Sequence, residues 1–357
     1  MQEKNNKLNF NGQDIYVGLD VSKKSWKVTI LTKDFEHKTF NQPPVPETLV
    51  GYLNRNFPGA HYLCVYEAGL SGFWIHNALK QYGVDCVVVH PADVPTKDKE
   101  KRNRNDTVDA RKLARSLRSG ELTSIYVPSR QAQEDRSLVR MRMQVVKKQT
   151  RTKNQIKSFL SLYGIDIPDE LVNSHWSRRF VSWLEDLNLC YESGNQALGA
   201  LLLELNHLRQ LIALLTRQIR ALAGQEPYKE MVNYLVSIPG ISMLTAMVLL
   251  TELVDINRFK DFDHLSSYAG LVPGEDSSGD TERSTGLSTR RNANLRVLLI
   301  ESSWVAVRKD PALMMAFVEL SKRMPKNQAI IRIARKLLSR IRYVLRNRQY
   351  YETGVLS

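Results

Sequence analysis

From Ile15 to Leu31 the chain reads IYVGLDVSKKSWKVTIL, and its apolar positions recur at every second residue. Val17, Leu19 and Val21 alternate with Tyr16, Gly18 and Asp20, the period of a half-buried strand. The polar spacer Ser22–Ser25 and the apolar run Trp26–Leu31 predict a second strand after a tight turn. A third strand is expected at His37–Phe40, before Gln42-Pro43-Pro44 breaks it. Glu47–Asn56 reads as a helix, His61–Tyr66 as a strand ending at Glu67, and Phe73–Tyr82 as a helix. Asp85–Val89 is a short buried strand stopped by His90-Pro91, and a further helix begins at about Thr107. Such strand–helix alternation indicates a mixed or parallel sheet covered by helices. This α/β region spans residues 14–125, and Tyr126-Val127-Pro128 closes it.

The pattern then turns helical. Ser129 to about Leu162 is nearly free of Pro and Gly, and Leu138, Met141, Val145, Ile156 and Leu160 give it an apolar stripe. A short helix is expected at Trp176–Leu187 and a second long one at Ala197–Ala223. Two long amphipathic helices with a short insert predict an antiparallel coiled coil or oligomerisation arm over 129–225. A solvated helical hairpin that spaces two domains is the plainer alternative. Residues 228–350 form a third, mainly helical region. Within it, Tyr234–Leu253 places a Pro239-Gly240 turn between two apolar helices, a helix-hairpin-helix-like unit. Such a turn offers amides to a phosphate, or serves only to pack two core helices. Residues 268–296 read as a long polar loop rich in Gly, Ser and Arg, between two apolar helices. Lys322–Arg348 is an amphipathic helix with ten Lys/Arg and no acid. The expected class is therefore α/β plus all-α.

Composition sharpens this picture. The 357 residues hold 51 Lys and Arg against 37 Asp and Glu, a net charge of +14 that points to nucleic acid as partner. Cys64, Cys86 and Cys190 are few, odd in number and not in metal spacing, which suits buried thiols in a reducing compartment. No apolar run approaches the roughly 18 residues of a membrane helix. The polar start MQEKNNKLNFNGQD does not read as a secretory signal, so a cytoplasmic, nucleoid-associated protein without membrane contact is expected.

The candidate chemistry lies in the carboxylates. Asp20 is a charge near the middle of a β-rich segment, costly unless compensated. Either it bonds turn amides at a strand end, or it is a metal ligand on which other acids converge. Glu67 lies just past a strand's carboxyl end, where open α/β sheets place ligands. Asp106 and Asp109 share one helix face, and both also suit a helix start, Asp106 as N-cap and Asp109 in the first turn. Together the four make a plausible cage for two Mg²⁺ or Mn²⁺ ions, which prefer carboxylate oxygen. In the polar stretch 268–296, a nucleophilic Ser with nearby Arg residues competes with ordinary turn chemistry.

The pattern VGLD…YEA…NDTVDARKLA resembles the RuvC-like, ribonuclease H-fold nuclease domain of DEDD transposases, those of the insertion sequence 110 family. Where the family usually reads Lys-Thr-Asp, this chain has Arg104-Asn105-Asp106. YAGLVP followed four residues later by Ser-Gly, a basic loop and Asn-Leu-Arg is similar to the family's transposase block. There the Ser directly before Gly is the nucleophile, which corresponds to Ser278, with Ser277 beside it. Ser242 replaces the second Gly of the family's Pro-Gly-Ile-Gly, and Thr289-Arg290-Arg291 replaces its Lys-x-Gly.

The resemblance spans roughly residues 14–347. It implies a site-specific DNA recombinase, with Asp20, Glu67, Asp106 and Asp109 holding Mg²⁺ or Mn²⁺ and Ser278 forming a 5′-phosphoserine intermediate. It further implies a coiled-coil arm that pairs subunits, a dimer-to-tetramer assembly with composite sites, and donor and target DNA read through a structured guide RNA. Candidate nucleic-acid contacts are Arg104, Arg140, Lys147, Arg151, Gly240, Arg290, Arg291, Arg296, Arg335 and Arg342. Two other functions remain open: a metal-dependent nuclease of the Holliday-junction resolvase type, which needs the acids but not Ser278, and a basic DNA-binding scaffold that needs neither.

Overall fold

The structure is a computed structural model. It describes residues 9–96, 105–172, 176–278, 281–287 and 291–353, with the backbone alone for 273–278 and 281–286. The chain forms two compact units that divide between Val127 and Pro128.

In the first unit, β1 (Asp14–Val21) pairs antiparallel with β2 (Trp26–Leu31), which pairs antiparallel with β3 (Glu36–Gln42). On its other side β1 runs parallel to β4 (His61–Glu67), and β4 runs parallel to β5 (Asp85–Val89). The order β3-β2-β1-β4-β5 places β1 at the centre. Ser22 closes the β1–β2 turn, its hydroxyl donating to the Ser25 carbonyl at 2.7 Å. The amino ends of the three parallel strands are tied by His61, whose ring lies 3.0 Å from Asp14 and 2.8 Å from Asp85. Those two hydrogen bonds hold its imidazole above the usual histidine range.

Alternation along β1 sorts its side chains between two faces. Ile15, Val17 and Leu19 pack with Leu49 and Leu53 of α1 (Pro46–Asn56) and with Ile75 and Leu79 of α2 (Trp74–Gln81). The opposite face carries Tyr16, Gly18 and Asp20 and is covered by α3 (Asp106–Arg118), where Leu113 packs on Val65 and Val89. Contact there is close because Gly18 has no side chain. A Cβ on Gly18 would stand 2.1 Å from the Ala110 carbonyl oxygen and 2.5 Å from the Ala114 amide. Those atoms belong to the helix backbone and cannot rotate away.

The start of α3 differs from the sequence expectation. Asn105, not Asp106, is the N-cap, and its side-chain oxygen accepts from the Val108 amide at 2.9 Å. Asp106 becomes the first helical residue, and its carboxylate is freed from capping.

The second unit is built on α4 (Arg130–Leu162) and α7 (Glu192–Ala223), which pack antiparallel. Val139 lies with Ile219 and Ala223, Val145 with Leu208 and Leu215, and Ile156 and Leu160 with Leu198 and Leu202. The far end of this pair is closed by α5 (Asp169–Val172) and α6 (Arg178–Glu185) through Leu171, Phe180 and Leu184. By length and composition α7 is the one described helix able to cross a membrane, a point the sequence pattern alone did not suggest. Its Leu198, Leu205 and Ile219 are buried in the protein, while Leu203 is 72% exposed.

The remaining core joins α8 (Tyr228–Val236), α9 (Met243–Leu253), α10 (Phe262–Ala269), α11 (Ala293–Lys309), α12 (Pro311–Arg323) and α13 (Lys326–Asn347). Leu235, Met247, Leu265, Leu299, Leu337 and Ile341 are at its centre. The stretch expected as a loop is a two-stranded antiparallel hairpin, β6 (Pro273–Ser278) and β7 (Thr281–Leu287). Its strands are almost wholly polar, so no apolar alternation announces them; pairing rests on backbone hydrogen bonds across a two-residue connection.

The close approach at Gly18 yields a direct expectation. Gly18→Ala forces α3 from the sheet and lowers unfolding stability by about 2 kcal/mol or more, as overpacking does. Gly51→Ala, in the interior of α1 with open space around it, is neutral or stabilising by about 0.5 kcal/mol. Denaturant unfolding of both variants checks the contrast.

Candidate active site

Leu19 of β1 is in register with Tyr66 of β4, so Asp20 and Glu67 follow side by side at the carboxyl ends of two parallel strands. Both point to the face that α3 covers. The helix passes Gly18 at Ala110 and Ala114, which brings its first turn, with Asp106 and Asp109, over the end of β1. Four carboxylates from three elements therefore share one region. The electrostatics register this convergence. Burial pushes the half-buried Asp20 carboxyl up to about 6, and the negative charges of Asp106, Asp109 and Glu67 add to the effect. Lys112 opposes it.

Lys112 is a functional candidate that the sequence reading did not single out. It is 8% exposed, and its Nζ lies 3.1 Å from Asp109 Oδ1 and 3.5 Å from Glu67 Oε1. The signal in the sequence is its spacing, three residues after Asp109 and so on the same helix face. Gly18 was also passed over, as one more polar position in an alternating strand.

The donor set suits a hard divalent cation, since it offers carboxylate oxygens only. As arranged, no three acidic, His or Cys residues among the described residues stand close enough to hold one ion together. Glu67 and Asp109 are turned to the Lys112 ammonium instead.

In the second unit, Ser278 is the last residue of β6, paired across the hairpin with Thr281. Its side chain and that of Ser277 lie outside the described residues, as do Arg104 and Arg290 entirely. Arg291 and Arg296 both lie over Gly270, where an added Cβ would meet Arg291 Cβ at 2.4 Å and Arg296 Nη2 at 2.6 Å. Burial and the neighbouring Arg291 charge hold the Arg296 guanidinium below its usual range.

Next to them Asn292 caps α11, accepting from the Leu295 amide at 3.2 Å, and donates to Glu252 Oε2 at 2.8 Å. Glu252 is 1% exposed and receives Arg140 of α4 in a bidentate pair at 2.7 Å and 2.7 Å. Burial alone pushes Glu252 up, but Arg140, Asn292 and nearby Arg136 hold it below the usual carboxylate range. The carbonyls at the end of α9 are satisfied in the same place, Thr251 by Arg136 at 2.9 Å and Leu253 by Arg258 at 2.9 Å. Arg140 is thus engaged inside the unit by Glu252, a partner that the sequence does not announce.

The other predicted contacts fall into two groups. Lys147 and Arg151 are exposed on α4, beside Lys148 and Lys157. Arg335 pairs with Asp263 and lies over the Phe262 ring, while Arg342 is half-buried on α13. Gly240, at φ +90°, is packed on α11, where a Cβ would stand 2.6 Å from the Ser302 carbonyl.

A mixed five-stranded sheet with acids at the end of its central strand and in the covering helix fits a ribonuclease H-like domain of the DEDD kind. Residues 17–165 match a transposase model of that kind from IS110 elements, and residues 232–319 match the transposase IS116/IS110/IS902 family. The chain is 31% identical over 248 residues to y4qE of Sinorhizobium fredii, named as a transposase, covering 68% of this chain and 58% of that protein. It is 27% identical over 366 residues to y4rJ of the same organism, also named as a transposase, with 91% and 90% covered. With the transposase for insertion sequence element IS1111A of Coxiella burnetii it shares 27% over 303 residues, 81% and 79% of the two chains. The chain belongs to the IS110 family of transposases.

The engaged and exposed cations are expected to behave differently. Arg140→Ala leaves a buried carboxylate without its main partner and lowers stability by about 2–3 kcal/mol. Lys147→Ala and Arg151→Ala change stability by less than about 0.5 kcal/mol. Thermal or denaturant unfolding of the three variants separates the two classes.

Proposed function

We propose that the protein is a site-specific DNA recombinase of an insertion element, cutting and rejoining DNA through a covalent serine intermediate. The observation that carries this reading is the convergence of Asp20, Glu67, Asp106 and Asp109 at the end of β1, in a chain whose two halves both match IS110 transposase families. Mg²⁺ or Mn²⁺ held by these four acids would supply a Lewis acid for the charge that develops at a scissile phosphate.

Ser278 is the nucleophile in this reading. Its Oγ attacks phosphorus and loses its proton. The bond from phosphorus to the 3′ oxygen breaks, and that oxygen leaves as a hydroxyl. The 5′-phosphoserine ester keeps the energy of the broken bond, so a second 3′-hydroxyl can displace the serine without any high-energy cofactor. Arg291 and Arg296, which lie near Gly270 ahead of β6, would neutralise phosphate charge.

The exposed cations Lys147, Lys148, Arg151 and Lys157 on α4, with Lys326, Arg332, Lys336 and Arg346 on α13, would contact nucleic-acid backbones. Sequence would be read by pairing with an element-encoded guide RNA, the protein reading shape and charge. The long α4–α7 pair would serve as the arm through which subunits assemble.

A trapping assay tests the reading. The protein is incubated with Mg²⁺, element-end DNA and RNA transcribed from the element's flanks, then run on a denaturing gel. The wild type forms a covalent protein–DNA adduct, and both Ser278→Ala and Asp20→Ala abolish it. Cleavage that persists in Ser278→Ala without an adduct contradicts the serine mechanism and leaves a metal-dependent nuclease of the resolvase type.

A further inference from the structure

Lys112 occupies an unusual position for a lysine. Lysine is seldom buried unless its ammonium is paired, and here it is 8% exposed at the centre of an acidic cluster. Two other cations of α3 are turned elsewhere. Arg111 lies 2.9 Å from Glu36, and Arg118 donates to the Thr32 carbonyl at 3.2 Å. Lys112 alone among the described cations contacts the acids, reaching Asp109 from its own helix and Glu67 from β4. It therefore bridges the two structural elements whose carboxylates any shared cation would also have to bridge. With all four acids ionised the cluster carries four negative charges and this one positive charge.

We propose that Lys112 is a resident counter-cation that holds the acidic site together without metal and yields Glu67 and Asp109 when a divalent cation enters. This rests on the reading of the four acids as a metal site. It accounts for why the acids converge without forming an arrangement able to hold an ion: two of them are engaged by the ammonium. The four-carbon stem of lysine lets the ammonium move while its Cα stays in the helix, a freedom that the planar arginine fork has less of. Bond making is not involved; one cation exchanges for another at the same oxygens. Two consequences follow for the amine. It stabilises the metal-free protein, and it competes with the incoming ion.

The test is Mn²⁺ binding by isothermal titration calorimetry, with melting temperature in chelator as the second readout, on the full chain. Lys112→Met removes the competing charge at similar length. It is expected to bind Mn²⁺ about tenfold more tightly than wild type or better, and to melt lower in chelator. Lys112→Gln keeps a hydrogen-bond donor without charge and is the variant to use if the Met chain does not fold. Lys112→Arg restores the metal-free stability of wild type. Asp20→Asn weakens Mn²⁺ binding in either background.

Unchanged or weaker Mn²⁺ binding in both uncharged variants, with wild-type uptake still dependent on Asp20, overturns the role of Lys112 and leaves the metal site standing. Absence of Asp20-dependent uptake from wild type and variants alike overturns the metal reading and this inference with it.

Discussion

The first unit depends on one close contact, the passage of α3 over the bare backbone of Gly18. With Cβ atoms on both sides, a helix and a sheet stay about 10 Å apart. Here the Ala110 carbonyl and the Ala114 amide occupy the space that a side chain of Gly18 would fill. That descent brings the first turn of α3 down to the level of the sheet, where Asp106 and Asp109 meet Asp20 and Glu67. The placement of the acids is thus a consequence of a missing methyl group two residues away from Asp20. It also explains the unfavourable charge at this point. Burial and mutual repulsion hold the Asp20 carboxyl near 6, an arrangement that a packed core would not retain without compensation.

A second buried charge organises the other unit in the opposite sense. Glu252 is almost completely enclosed, yet its carboxyl is held below the usual range because Arg140 and Asn292 satisfy both oxygens. The first unit concentrates negative charge and leaves it partly unmet. The second neutralises its carboxylate and uses it to connect α4, α9 and the start of α11. Asn292 stands five residues after Leu287, the last residue of β7, and starts α11 from the same network. The contrast separates a carboxylate whose partners satisfy it from carboxylates that repel one another.

Much of the architecture was legible in the sequence because it rests on hydrophobic period. The β1–β2 pair, β5 and the long helices stand within a few residues of where alternation and helical spacing put them. The acids were legible as a set, since charges in apolar surroundings announce themselves. Other features were not. The polar hairpin 273–287 lacks any apolar alternation, and its strands are held by backbone pairing. Asn105 took the cap expected of Asp106, because Asn and Asp serve equally there. Gly18 stands in the sequence only as one position of an alternating strand, for sequence alone does not say which neighbour needs the room. Arg140 was read as a contact for nucleic acid, because a bidentate partner 112 residues away leaves no local trace. Lys112 was hidden in the same way, as one cation among several on a basic helix.

The account depends on the four acids sharing one electrostatic field, and their charges add to the burial that raises the Asp20 carboxyl. Its titration in the metal-free full chain, followed by carbon-13 NMR of labelled aspartate, is the most direct test. The structure predicts a midpoint of about 6, falling towards the ordinary carboxylate value when Asp106 and Asp109 are both replaced by Asn. A midpoint near about 4 in the wild type, unmoved by those replacements, would show that the acids do not converge and would contradict the account.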